Sequence, residues 1–223
     1  MTVTELKELF NYLVDDDNVD DDDVLRLLNI ADQRIHALRD WEYLGKEDRS
    51  QTVVSGTTQY NLPSDFMFLK IGGDRSGVEL YNSSNDSYES VSVVPYAQRN
   101  AYNGQSKIVF VDNRQEKVTF TSNPSNNAGE LIVISYQYQP AEFTSGNEDT
   151  DEPVFPRQFH PLVAYEAAKF YYFNDQPEKD RAWNNELART YDEMLKQMIR
   201  WDNNLKLAND GEWNPAAYMP MIP

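Results

Sequence analysis

"TVVSGTTQYNLPSDFMFLKI", Thr52 to Ile71, is where the hydrophobic rhythm of this chain changes. Upstream, apolar residues recur every three or four positions, the period of a helix buried on one face. Within this stretch they come in short runs broken by turn formers. "TVVS" and "TQYNL" read as two short strands separated by Ser55-Gly56, and Pro63 ends the second. "FMFLKI" then reads as a dense apolar strand, closed by Gly72-Gly73. The chain passes from helix to sheet here, so the expected class is α+β.

Toward the N-terminus lie two helices. The first is expected from about Thr4 to Val14, with Thr2 and Glu5 as a capping box and Leu6, Leu9, Phe10 and Leu13 on one face. The second starts near Asp22 and runs to about Asp40. Val24, Leu27, Leu28, Ala31, Ile35 and Leu38 form its buried stripe, and Trp41 and Leu44 close it before Gly45.

Toward the C-terminus the strand pattern continues. "GVELY" follows, then "VSVVPYAQRNAYNG", a strand end with a helical turn after Pro95. "KIVFVD" and "KVTFT" flank "NRQE", a four-residue hairpin loop. "ELIVISYQY" is the longest strand, built from the residue types strands favour. Residues 50–140 are therefore expected to form a β-domain of about six strands between two helical halves, 1–49 and 157–210. Residues 141–156 read as a flexible acidic connector.

Beyond the connector a third helix is expected from about Phe159 to Phe173, with Phe159, Val163, Ala167 and Phe170 inward. Asp175, Pro177 and Glu178 announce a fourth. Trp183, Leu187, Tyr191, Met194, Met198, Trp201 and Leu205 follow a spacing close to a coiled-coil seam. From Pro177 to Leu205 that gives a rod of roughly 43 Å at ~1.5 Å per residue.

The chemistry-bearing residues point away from catalysis. The 223 residues carry a net charge of −17 and no cysteine. That charge opposes non-specific nucleic-acid binding and docking on anionic lipid, since both rest on Lys and Arg. It is compatible with DNA sliding past an acidic wall. No disulfide, thiol nucleophile or Cys-based zinc site is possible. No apolar run approaches the ~20 residues that span a bilayer, and "MTVTELKELF" lacks the basic and apolar regions of a signal peptide.

The most unusual stretch is "VDDDNVDDDDV", Val14 to Val24, with seven aspartates in eleven residues. An EF-hand calcium loop needs glycine at its sixth position and glutamate at its twelfth. Counting from Asp16 puts Asp21 and Leu27 there; counting from Asp15 puts Val19 at a ligand position. The better reading is an N-cap and a dipole-favoured first turn for the second helix, with a weak, irregular cation site as the alternative. His36 and His160 read as surface or capping residues, with no second histidine at zinc spacing. "IGGDRSG" reads as a turn, and "KFYYF", Lys169 to Phe173, as helix packing in preference to base stacking. No catalytic, cofactor-binding or metal-ligating residue is expected, and no cofactor.

After Gly211 the chain reads "EWNPAAYMPMIP". Pro215, Pro220 and Pro223 forbid a regular helix. Trp213, Tyr218, Met219, Met221 and Ile222 are too apolar for a merely solvated end. Residues 211–223 are expected to be an extended docking arm with those five side chains as its contacts.

The order of these pieces carries a resemblance. "VLRLLNIADQRIHALRDWEYLGKED" is followed by "GTTQYNLPSDFMFLKI", and much later by "DEPVFPRQFHPLVAYEAAKFYYFN" and a long helix. Over about residues 4 to 205 this resembles the head-to-tail adaptor (connector) proteins of tailed bacteriophages, especially short-tailed ones. Each motif is diffuse; their order is the signal. The resemblance implies an antiparallel helical bundle with the β-domain inserted into it. It implies a structural virion protein without enzymatic activity, assembled in the host cytoplasm. It also implies a ring, typically of twelve copies, under the portal protein. That ring would extend the DNA channel, let genomic DNA pass without sequence-specific binding, and carry the next tail or nozzle protein. No membrane partner is implied. Two other classes stay open: another virion tail component, and a β-rich glycan-binding module using aromatic platforms such as Tyr81, Tyr88 or Tyr102.

Overall fold

The computed structural model describes residues 1–15, 19–72, 75–175 and 181–209. The chain divides into two compact units. One is helical, residues 1–43 with 140–223; the other is the β-unit, residues 44–139.

The helical unit holds α1 (Val3–Val14), α2 (Asp21–Ala37), α3 (Pro161–Asp175) and α4 (Arg181–Asn209). The Thr2–Glu5 capping box forms: the Glu5 amide donates to Thr2 Oγ1 at 3.3 Å and the Thr2 amide to Glu5 Oε2 at 2.9 Å. α2 stops at Ala37, where Trp41, fully buried, donates its indole N–H to the Ile35 carbonyl at 3.0 Å. α3 opens on Pro161, whose missing amide hydrogen costs nothing at a first helical position. It packs against α1, α2 and α4. That position explains why its apolar residues spread around it rather than forming one stripe.

Directions follow from contacts. Tyr172, near the end of α3, donates its hydroxyl to the Val14 carbonyl at the end of α1, so α1 and α3 run the same way. Arg34 in α2 meets Glu166 in α3, and Lys169 in α3 lies over the Tyr191 ring in α4. Trp183, at the start of α4, donates to the Leu13 carbonyl at 3.0 Å. α2 and α4 therefore run opposite to α1 and α3. Phe10, Leu28, Ile35, Val163, Ala167 and Met198 are fully buried along the shared core.

The β-unit holds more strands than the six expected. In chain order they are β1 (Gly45–Thr52), β2 (Gln59–Asn61), β3 (Phe66–Leu69), β4 (Ile71–Gly72), β5 (Arg75–Ser76) and β6 (Val78–Asn82). Then follow β7 (Ser87–Ser90), β8 (Ser92–Val93), β9 (Ile108–Asp112), β10 (Lys117–Phe120) and β11 (Leu131–Tyr138). One sheet runs β1-β11-β6-β7, with β3 pairing β11 beyond the end of β6. The other runs β2-β10-β9-β8, its β8–β9 pair parallel. β4 and β5 form a small ribbon. The β9–β10 hairpin has the expected four-residue loop.

The surplus strands are polar. β1 is "GKEDRSQT", whose first residues were grouped by sequence with the N-terminal helices. β7 is "SYES". Both owe their strand state to a partner: β1 to β11 and β7 to β6. Tyr60, Val109, Val118 and Phe120 from one sheet share a core with Val78, Leu80, Ile132, Ile134 and Tyr136 from the other. Gly77, at φ +80°, leads into β6; a Cβ there would stand 2.9 Å from Ile71 Cγ1.

Candidate docking surfaces

The aspartate run resolves into capping. Asp20 is the N-cap of α2 and accepts the Asp22 amide at 2.9 Å; Asp21, Asp22 and Asp23 fill the first turn. There they meet the positive end of the helix dipole. Asp21 also meets a cation from α1. Lys7, nearly buried, places Nζ 2.6 Å from Asp21 and 2.7 Å from Glu148. Burial favours the neutral amine, but the hydrogen bonds from Lys7 to both carboxylates outweigh it and hold its pKa above the ordinary lysine value. Asp16 to Asn18, which the calcium register would need, lie outside the described residues. Among the described residues no group of three or more His, Asp or Glu is placed to hold a metal ion.

The acidic stretch expected to be flexible lies along α1 and α2. The first-turn amides of α1 have no partner inside the helix. Val3 donates to the Asp151 carbonyl at 3.0 Å and Thr4 to the Glu148 carbonyl at 3.1 Å. Asn29 of α2 accepts the Phe143 amide at 2.8 Å and donates to the Phe143 carbonyl at 3.0 Å, as a strand neighbour would. Phe143 and Phe155 are buried. Sequence reasoning missed Lys7 and Asn29. Their only signal was polarity on otherwise amphipathic helices.

The histidines were expected at the surface or in caps; instead each is buried, 1% exposed. His160 Nε2 donates to the Phe155 carbonyl at 2.7 Å, while Nδ1 faces Met1. His36 Nδ1 lies 3.2 Å from Asp32. Both serve packing inside the helical unit.

The "YNLPSDF" turn is a lock inside the β-unit. Tyr60 accepts the Val54 amide at its hydroxyl, 3.0 Å away. Asp65 accepts the Tyr136 hydroxyl at 2.8 Å and pairs with Lys46 at 2.7 Å. Burial alone would raise the Asp65 pKa. The hydrogen bonds from Lys46 and Tyr136 more than offset it and hold the carboxyl below its usual range. Burial, then the bond to Asp65, pushes the Tyr136 phenol well above its ordinary value.

Of the three aromatic side chains named for a glycan-binding module, Tyr81 and Tyr88 pack on each other, though Tyr88 stays 49% exposed. Tyr81 and Tyr88 pack at 4.8 Å between ring centroids, and the Arg49 guanidinium lies within 6 Å of both. Arg49 thus makes a cation–π cluster with the two rings.

Residues 1–210 match the family model described as SU10 adaptor protein. The chain belongs to that family. These are head-to-tail adaptors of phages, so this adaptor is a structural component of the virion. A comparison with curated proteins finds no match. The match ends where the apolar tail begins. Trp213, Tyr218, Met219, Met221 and Ile222 lie outside the described residues. Among the described residues, no helix of the adaptor is long and apolar enough to cross a membrane.

Proposed function

We propose that this adaptor assembles as a ring, of about twelve copies by family resemblance, beneath the portal protein. The ring extends the DNA channel and presents a platform for the next tail or nozzle protein. Membership of the head-to-tail adaptor family over residues 1–210 carries this reading. The net charge of −17 supports it, because a wall that repels phosphate lets DNA slide. The same charge opposes unassisted self-association, so the free protein is a monomer or small oligomer and the ring forms only on portal. Residues 211–223 act as the docking arm, with Trp213, Tyr218, Met219, Met221 and Ile222 as its contacts. No catalytic step is assigned.

Electron microscopy of the purified protein mixed with portal tests this. The expected images show an added ring on one face of the portal. Light scattering of the protein alone should report low mass. Portal particles that stay bare at saturating protein, or a stable twelve-fold ring without portal at physiological salt, would refute it.

A further inference from the structure

The last turns of α4 carry a local basic face. On α4, Lys196, Arg200, Asn203 and Leu207 follow a 4, 3, 4 spacing and so form one stripe. All four are exposed, with Lys206 exposed on its flank. Between Glu193 and Asn209 the only acid is Asp202, which points inward and is 1% exposed. No ion pair joins Lys196, Arg200 or Lys206 to another described residue. A basic stripe with one apolar residue, Leu207, stands out in a chain of net charge −17.

A second cluster, where α1 passes to α2, is acidic. Asp15 and Asp20 to Asp23 are exposed there; among the described residues Lys7 pairs with Asp21 and Arg26 with Asp23. Tyr12, also on the C-terminal half of α1, is the most exposed large apolar side chain among the described residues, at 78%. Two bonds fix which end is which. Trp183 holds the start of α4 to the end of α1, and Asp202 holds the end of α4 to Glu42 and Tyr43, just after α2. From Trp183 to Lys196 and Lys206 the helix rises roughly 20 and 35 Å. The two charged regions cannot meet within one copy.

We propose that the outward stripe of α4 is a docking surface for a second copy of this chain, whose aspartate-rich start of α2 and Tyr12 occupy it. Charge complementarity carries the choice of occupant. Carboxylates meet cations that no described residue pairs, and the Tyr12 ring meets a guanidinium or Leu207. The contact joins two different surfaces, so it repeats from copy to copy and can close into a ring. It is distinct from the arm contact to portal, and rests on the ring reading only for its role in the virion. Duplex DNA is the competing occupant of a basic stripe; the net charge opposes it.

Zero-length carbodiimide coupling tests the contact. Equal amounts of ¹⁵N-labelled and unlabelled full-length protein are coupled at high concentration in low salt, without portal, and digested for mass spectrometry. Mixed-isotope links should join the Asp20–Asp23 peptide to Lys196 or Lys206. The exposed-site variant K196E/R200E/K206E should lower their equivalents at Asp20–Asp23 at least tenfold, with its melting temperature preserved. Adding D22K/D23K to that chain should restore copy-to-copy links, now of swapped polarity. Half-molar salt should suppress the contact. Absence of mixed-isotope links, or links at other surfaces only, overturns the proposal. So does loss of duplex-DNA retention in the triple variant without any copy-to-copy link. Bare portal in a parallel mixture would strike the ring reading alone.

Discussion

The Asp202 carboxylate near the end of α4 accepts the backbone amide of Glu42 at 2.8 Å, across 160 positions of sequence. The same oxygen accepts the Tyr43 amide at 3.2 Å, and Arg39 lies 3.6 Å from the other oxygen. A buried acid thus holds the turn that follows α2. Asp202→Ala leaves the turn amides without that acceptor, which costs about 1–3 kcal/mol. The melting temperature should fall about 2–4 °C per kcal/mol. Asp202→Asn keeps one acceptor oxygen and should lose less. An alanine variant that melts with the wild type would contradict this.

Asn29 ties residues 141–156 to α2 through a two-way bond with Phe143. Asn29→Ala removes both bonds and should destabilise by about 1–2 kcal/mol. Cleavage between Glu142 and Pro156 in limited proteolysis should accelerate well before global unfolding. Unchanged cleavage rates would show that Phe143 and Phe155 anchor the stretch without Asn29.

The aspartate run should not bind calcium tightly. Asp20 is engaged as a cap and Asp21 by Lys7. Isothermal titration should show no event at micromolar calcium. Asp20→Ala should cost about 1 kcal/mol through loss of the cap. A stoichiometric exotherm abolished by Asp16→Ala and Asp20→Ala would overturn the capping account.

Asp65 has a lowered pKa in the folded protein, with Lys46 and Tyr136 as the cause that prevails over burial. Its contribution is therefore present above the ordinary carboxylate value. It disappears as pH falls through the lowered, folded value, because protonation ends the ion pair with Lys46. Melting temperature should drop more steeply below about pH 4 in the wild type than in Asp65→Asn. Parallel curves would remove Asp65 from the acid response.

Deleting residues 211–223 should leave the free protein's melting temperature nearly unchanged and abolish attachment to portal. Each large apolar side chain of the arm offers about 1.5–3 kcal/mol on full burial, less the cost of ordering the segment. A truncated protein that melts much lower has lost internal packing. One that still binds portal at full affinity has no docking arm there.

Where the buried face of an element is continuous, the sequence was a good guide. The Thr2–Glu5 box, the α2 stripe from Val24 to Ile35, and the β9–β10 hairpin are local features with local causes; Leu38, expected in that stripe, is 54% exposed just past the end of α2. β1 and β7 were invisible because their strand state comes from hydrogen bonds to β11 and β6. Residues 141–156 read as flexible from their acids; backbone groups, two phenylalanines and Glu148, paired with the buried Lys7, do the anchoring. The histidines were misplaced because burial of a polar ring depends on acceptors, such as Phe155 and Asp32, that no spacing announces. The proposed arm contacts Trp213 to Ile222 are legible by composition alone, and the α4 stripe carries no signal beside the stronger apolar seam of the same helix.

The β-unit leaves and returns to the helices through neighbouring strands: Gly45 sits opposite Gln137 in the β1–β11 ladder. An insertion whose two stems are already hydrogen-bonded to each other is a cassette. Loops within it, or the whole cassette, can be lengthened or exchanged while the paired stem keeps its own spacing. A lineage of such proteins could therefore refit this unit to new neighbours without renegotiating the bundle, and a chimera that keeps Gly45 to Thr52 and Leu131 to Tyr138 as its frame should fold.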